Sequence, residues 1–176
     1  MKKIAVFGSA FNPPSLGHKS VIESLSHFEQ VLLLPSISHA WGKQMLDYSI
    51  RCQLVDAFIE DMNLPYVMRS DVEECLYQPE QSVTTFAVLE ALEQRHPEAE
   101  LTFVVGPDNL FNFSQFYRCD EILCRWSLLS CPEKVAIRST DIRSALSCKQ
   151  DVNHLTTENV ARLLSEQAHY YGLESV

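Results

Sequence analysis

The chain has 176 residues, 46% of them apolar and 21% charged, which suits one globular domain able to bury roughly two-thirds of its unfolded surface and excludes a disordered chain. Its formal net charge of −9 excludes a protein that coats nucleic acid, whose phosphates need a broad basic surface, and confines any anionic ligand to a locally positive pocket. No apolar run approaches the ~20 residues that span a bilayer, and no leader or lipidation pattern follows Met1, so a soluble, cytoplasmic protein with no membrane partner is expected.

Lys3 to Phe7 is a continuous apolar run of the kind found in the buried middle of a parallel sheet. His18, Val21, Ile22 and Leu25 then recur at helical spacing and predict a helix over 17–26. Val31 to Leu34 predict a second strand, stopped by Pro35. The loop from Ser36 to Asp47, with His39, Trp41, Gly42 and Lys43, exceeds the usual connection and is a candidate for ligand work. Ile50, Leu54, Ala57 and Phe58 mark a second amphipathic helix, and Tyr66 to Met68 a short third strand. Ser82 is read as the cap of a further helix with Thr85, Val88, Leu89 and Leu92 on its buried stripe, ended by Pro97. Leu101 to Val105 form the fourth strand, leading into Gly106, Pro107 and Asp108. A segment rich in aromatics follows, then a fifth strand over 126–130 and a short helix capped by Ser139 or Thr140. A final helix over about 157–171, closed by Gly172, packs on the rest, so that residues 1–176 read as a single domain.

Strands alternating with helices predict an α/β fold: a single doubly wound parallel sheet of about five strands, Rossmann-like, with helices on both faces. Ligands of such sheets bind beyond the carboxyl ends of the strands where the strand order reverses. The segments after strands one and four have the composition for that place, which sets those two strands side by side. The six cysteines lack CxxC spacing and are read as reduced structural thiols.

The stretch GSAFNPPSLGH, residues 8–18, reads as a phosphate site: Gly8 admits close approach to backbone, Pro13 and Pro14 stiffen the path, and Gly17 opens a helix whose free amides favour an anion, with His18 adding a donor. From the residues alone, His18 could equally be a core histidine with both nitrogens satisfied.

This stretch resembles the signature of the nucleotidylyltransferase superfamily: a glycine, a Phe-x-Pro, a His or Thr, and a Gly-His, with Ser15 standing where the superfamily has His or Thr. Ile137 to Arg143, IRSTDIR, resembles the superfamily's second signature, ISSTxIR, with Arg138 replacing its first serine. The stretch FVVGPDNLFNFSQFYRCDEIL is similar to the matching part of the bacterial nicotinate mononucleotide adenylyltransferases, where a G-x-D follows the fourth strand. Together these cover about Met1 to Leu146.

The resemblance implies an enzyme of NAD biosynthesis in which a mononucleotide phosphate attacks the α-phosphorus of ATP and releases pyrophosphate, with Mg²⁺ as the phosphate counter-ion. It implies that Gly8, Ser9, Ala10, Phe11 and Gly17 offer backbone to phosphates, that His18, Ser15, Lys43 and Arg143 act in catalysis, and that Arg138, Ser139, Thr140 and Arg143 hold the β and γ phosphates. Gly106 and Asp108 would lie near the adenosine, and Thr84, Thr85 and Phe116 near the acceptor. Nicotinate or nicotinamide mononucleotide is the implied acceptor. The alternatives are another phosphorylated acceptor such as phosphopantetheine, or a nucleotide sensor without turnover. A homo-oligomer is compatible with the sequence.

Overall fold

A computed structural model describes residues 1–38 and 45–166. Five strands form one parallel sheet: β1 (Lys2–Ser9), β2 (Gln30–Pro35), β3 (Val67–Arg69), β4 (Ala99–Val105) and β5 (Ser127–Ser130), in the order β3-β2-β1-β4-β5. β1 and β4 are neighbours, with Phe7 opposite Val104, so the order reverses between them. That is the switch point expected from the sequence, and both connecting segments open above it.

Alternation along the central strands feeds two cores. Ala5, Phe7, Val31, Leu33 and Val104 point to one face, against α1 (Leu16–Glu23), α2 (Tyr48–Met62), α7 (Ser139–Ser147) and α8 (Glu158–Glu166). Ile4, Val6, Leu32, Leu34, Leu101, Phe103 and Val105 point to the other, against α3 (Val72–Leu76), α4 (Thr85–Arg95) and α6 (Cys119–Arg125). A sheet buried on both faces explains why these strands read as unbroken apolar runs. α5 (Pro107–Phe111) follows β4 directly, with Pro107 at its first turn.

Several local readings are corrected. The aromatic segment after β4 folds as α5, a 3₁₀ turn (Phe113–Gln115) and α6, and the polar stretch after β3 contains α3. Thr84, not Ser82, caps α4, its Oγ1 accepting the Ala87 amide at 3.2 Å. At α7 neither Ser139 nor Thr140 is the cap: they begin the helix, and the Asp141 carboxylate accepts the Arg138 amide at 2.8 Å. The six cysteines are free, but only Cys52 and Cys131 are buried; Cys75, Cys124 and Cys148 are exposed and serve no core. The final helix is described to Glu166, and Gly172 lies outside the described residues. No helix among the described residues is long and apolar enough to cross a membrane.

The turn before α1 is joined to the C-terminal third at one tight seam. A Cβ added at Gly17 would sit 2.2 Å from the Ile137 carbonyl oxygen, while the Ser15 hydroxyl donates to that same oxygen at 3.0 Å. Leu16 N donates to Leu155 O at 3.0 Å, and the buried Thr156 hydroxyl to Pro14 O at 2.8 Å. Because the obstacle at Gly17 is backbone on both sides, Gly17→Ala is expected to destabilise by about 1–3 kcal/mol through enforced backbone shifts. Thermal or urea unfolding checks this, and a wild-type midpoint would contradict the seam.

Candidate active site

Above the carboxyl ends of β1 and β4 lies a cavity of about 700 Å³, within the range of small-molecule sites. Its walls bring together Gly8, Ser9, Ala10, Phe11, Ser15 and His18 from the β1–α1 turn, and Gly106, Asp108 and Phe116 from the segment after β4. Arg138, Ser139, Thr140 and Arg143 come from α7 and its approach, and Thr85 from the start of α4. Two residues assigned from the sequence do not line it, Gly17 and Thr84, and Lys43 lies outside the described residues.

His18 is fixed by its first-turn position. Its Nδ1 accepts the Ser15 amide at 3.0 Å, which leaves the ring proton on Nε2, and Nε2 lies 3.0 Å from the Ser9 hydroxyl. The imidazole packs against Phe11, centroid to centroid 4.7 Å, and 6.2 Å from Phe7. Burial among these groups pushes its pKa down to about 4. At neutral pH His18 is therefore an uncharged donor with one N–H at the cavity wall. Ser9, expected to offer only backbone, is the side chain that engages that N–H.

At the mouth of α1 most of the first amides are taken by the chain. The amides of Leu16, His18 and Lys19 already donate to Leu155 O, Ser15 Oγ and Ser15 O. Gly17 has a further reason to be glycine: the Ile137 backbone leaves no room for a Cβ there. Ser15 is engaged by the same backbone. It is 1% exposed, it caps α1, and its single hydroxyl proton is directed to Ile137 O, so it orients His18 and has no donor left for a phosphate. Thr84 Oγ1 accepts the Ala87 amide as the cap of α4, and its side chain does not line the cavity.

On α7, Arg143 is anchored by Nη1 to Asn12 O at 2.7 Å and by Nη2 to Thr140 Oγ1 at 3.2 Å. Burial lowers its pKa, yet a guanidinium stays protonated at any physiological pH. Ser139 donates to Pro13 O at 2.6 Å. Arg138 stands at the rim, its side chain 67% exposed, 3.7 Å from both the Asp108 and the Glu133 carboxylates. Asp108 thus faces a cation across the cleft mouth. Phe116 serves two roles, packing against Phe113 with centroids 4.8 Å apart while also lining the cavity.

The sequence reading missed Glu73 and Arg51. Glu73, on α3, lines the cavity and accepts the Ile37 amide at 2.7 Å. Burial pushes its carboxyl up to about 7, partly offset by that amide and by the Arg51 charge. Only folding brings α3 over the end of β2, so no periodicity or spacing signalled it. Arg51 sits in an amphipathic helix, where an arginine ordinarily reads as solvated surface.

The depressed His18 pKa has a consequence for stability. The folded chain resists a proton that the unfolded chain accepts below about 6.5, so this contribution is complete above that pH and is lost as pH falls toward 4. His18→Ala is expected to flatten the pH dependence of the unfolding free energy in that window, by up to about 1.4 kcal/mol per pH unit. Urea titrations of both proteins between those limits check it, and parallel curves would contradict a buried neutral imidazole.

The cytidylyltransferase-like family model matches residues 6–148. A crystal structure from Vibrio parahaemolyticus, described as a "Putative Nicotinate-nucleotide Adenylyltransferase", is 57% identical, covers 97% of this chain and 96% of its own, and superposes with a TM-score of 0.86. A "Probable nicotinate-nucleotide adenylyltransferase" of Anaeromyxobacter dehalogenans (strain 2CP-1) is 26% identical over 185 residues, 97% of this chain and 98% of its own. The Plasmodium falciparum nicotinic acid mononucleotide adenylyltransferase complexed with NaAD has the same fold, with a TM-score of 0.74 at 15% identity, covering 99% of this chain and 100% of its own. The family model takes in both signature segments and everything between them, and on that ground the chain belongs to the cytidylyltransferase-like family.

Proposed function

We propose that this chain transfers the adenylyl group of ATP to nicotinate mononucleotide, releasing pyrophosphate and forming a dinucleotide in NAD biosynthesis. The observation that carries the reading is a neutral imidazole and a guanidinium lining one cavity at the sheet's switch point, in a chain 57% identical to a protein of that description.

The chemistry asks little of the protein beyond placement and charge. An acceptor phosphate is already ionised at neutral pH and needs no base. One of its oxygens attacks the α-phosphorus in line, the bond to the bridging oxygen breaks, and pyrophosphate leaves with the electron pair. Charge grows on the phosphoryl oxygens, and stabilising it is the main task. His18 donates through Nε2–H, exchanging the Ser9 hydroxyl for a phosphate oxygen. Arg143, with Ser139 and Thr140 at the start of α7, holds the β and γ phosphates, and Arg138 leaves Asp108 and Glu133 to join them. Thr85 and Phe116 form the acceptor end, where the Phe116 ring offers a face to the pyridine.

Mg²⁺ enters with the triphosphate. The nearest carboxylates at the mouth, Asp108 and Glu133, are both within 3.7 Å of Arg138, a donor set that fits a phosphate-borne ion better than a protein cage. The ion would neutralise phosphate charge, while every contact named above belongs to the chain.

Pyrophosphate release from ATP and Mg²⁺ with a panel of acceptors tests the assignment. Turnover with nicotinate mononucleotide is expected to exceed that with nicotinamide mononucleotide or phosphopantetheine, and ATP binding without any turnover would make the chain a sensor instead. His18→Ala is expected to lower kcat by about 10²-fold with the fold intact, since a donor to the transition state is lost. Arg143→Ala is expected mainly to raise the KM for ATP, and an unchanged ATP affinity would contradict its role.

A further inference from the structure

Arg51 is 1% exposed, among the most buried large side chains in the protein, and it lies in the first turn of α2 rather than in the cavity wall. Burial lowers its pKa, and its neighbours Glu73 and Asp47 supply compensating negative charge. A charge held this deep is costly unless its donors are used, and here they are used on backbone. Nη1 donates to Ala10 O at 2.8 Å and Nε to Leu46 O at 2.8 Å, and the guanidinium carbon lies 5.7 Å from the Tyr48 ring centroid.

Those two carbonyls belong to segments that meet the cavity from different sides. Leu46 N in turn donates to Asn12 Oδ1 at 3.1 Å, and Asn12 O accepts from Arg143 at 2.7 Å. Ala10, Phe11 and Asn12 therefore form a corner held at one end by Arg51 and at the other by Arg143. Between the two grips Phe11 is held at a φ of 47°, in the left-handed region that a bulky side chain rarely adopts, and its buried ring packs on the His18 imidazole.

We propose that Arg51 is a positioning residue for adenylyl transfer: through the Ala10 carbonyl it fixes the Ala10–Asn12 corner, and through the Phe11 ring it sets the orientation of the His18 imidazole. It touches neither substrate nor reacting atoms. The proposal rests on the adenylyltransferase reading only for its kinetic effect, since the imidazole orientation is measurable without turnover.

The experiment compares wild type, Arg51→Met and Arg51→Lys, with Leu101→Ala as a core variant at the amino end of β4, away from the cavity at the strands' carboxyl ends, that lowers stability. Melting temperature, the KM for ATP and kcat per folded molecule are measured, together with the ¹⁵N shifts of the His18 ring. Arg51→Met is expected to lower kcat by roughly 10²-fold, as a misplaced catalytic group does, with the KM for ATP within about threefold. It is also expected to shift the His18 ring away from the single Nε2–H tautomer. Arg51→Lys, which keeps the charge and donors on a single nitrogen, is expected to recover part of kcat. Leu101→Ala is expected to lose stability with kcat and ring shifts unchanged. Wild-type kcat or unaltered His18 shifts in folded Arg51→Met would overturn the proposal. If that variant does not fold, Arg51→Lys with a lowered melting temperature but wild-type kcat and ring shifts overturns it equally. If the wild type itself shows no turnover with any acceptor, the functional assignment fails, and the His18 shifts still decide the role of Arg51.

Discussion

The structure depends on one close approach: the carbonyl of Ile137 against the start of α1. That oxygen sits where a side chain on Gly17 would be and takes the proton of the Ser15 hydroxyl. Around it, Ser139 donates to Pro13 O, Arg143 to Asn12 O and Thr156 to Pro14 O, each bond spanning more than a hundred residues. The β1–α1 turn has little regular hydrogen bonding of its own, so its carbonyls are satisfied by side chains from the C-terminal third. The catalytic constellation exists only when these two ends of the chain are docked.

The same seam sets the electrostatics. A chain with net charge −9 presents cations to an anionic substrate by keeping them at one cleft, with Arg143 half-buried in the wall and Arg138 at the mouth. Between them stands an imidazole kept neutral by burial. A neutral donor gives up less solvation on closing over a phosphate than a charged one, and its orientation is fixed in advance by the Ser15 amide and the Phe11 ring. On the proposed reading the ring itself stays in place, and its Nε2–H only exchanges the Ser9 hydroxyl for a phosphate oxygen.

The two departures from the superfamily signatures have different fates. Ser15, where the signature has His or Thr, caps α1 and directs its hydroxyl to Ile137 O. Arg138 replaces a serine and adds a cation whose partners in the ligand-free chain, Asp108 and Glu133, lie on either side of the cleft entrance. One donor is withdrawn from the depth of the site while one is added at its rim.

The order of elements, the parallel sheet and the pairing of the first and fourth strands at the switch point were legible in the sequence, because buried strands and amphipathic helices carry their periodicity locally. The signature stretches likewise pointed to Gly8–Phe11, His18 and Ser139–Arg143, which share the cavity. Only the tertiary structure decided what each atom does there. The crowding of Gly17 and the direction of the Ser15 hydroxyl are set by the Ile137 backbone, which arrives from 120 residues away, and the capping role of Thr84 appears only with α4 in place. Arg51 and Glu73 carry no signal in their own neighbourhoods. Their partners, the carbonyls of Ala10 and Leu46 and the amide of Ile37, are backbone groups that any sequence would supply, and a bond to backbone leaves no trace in residue type.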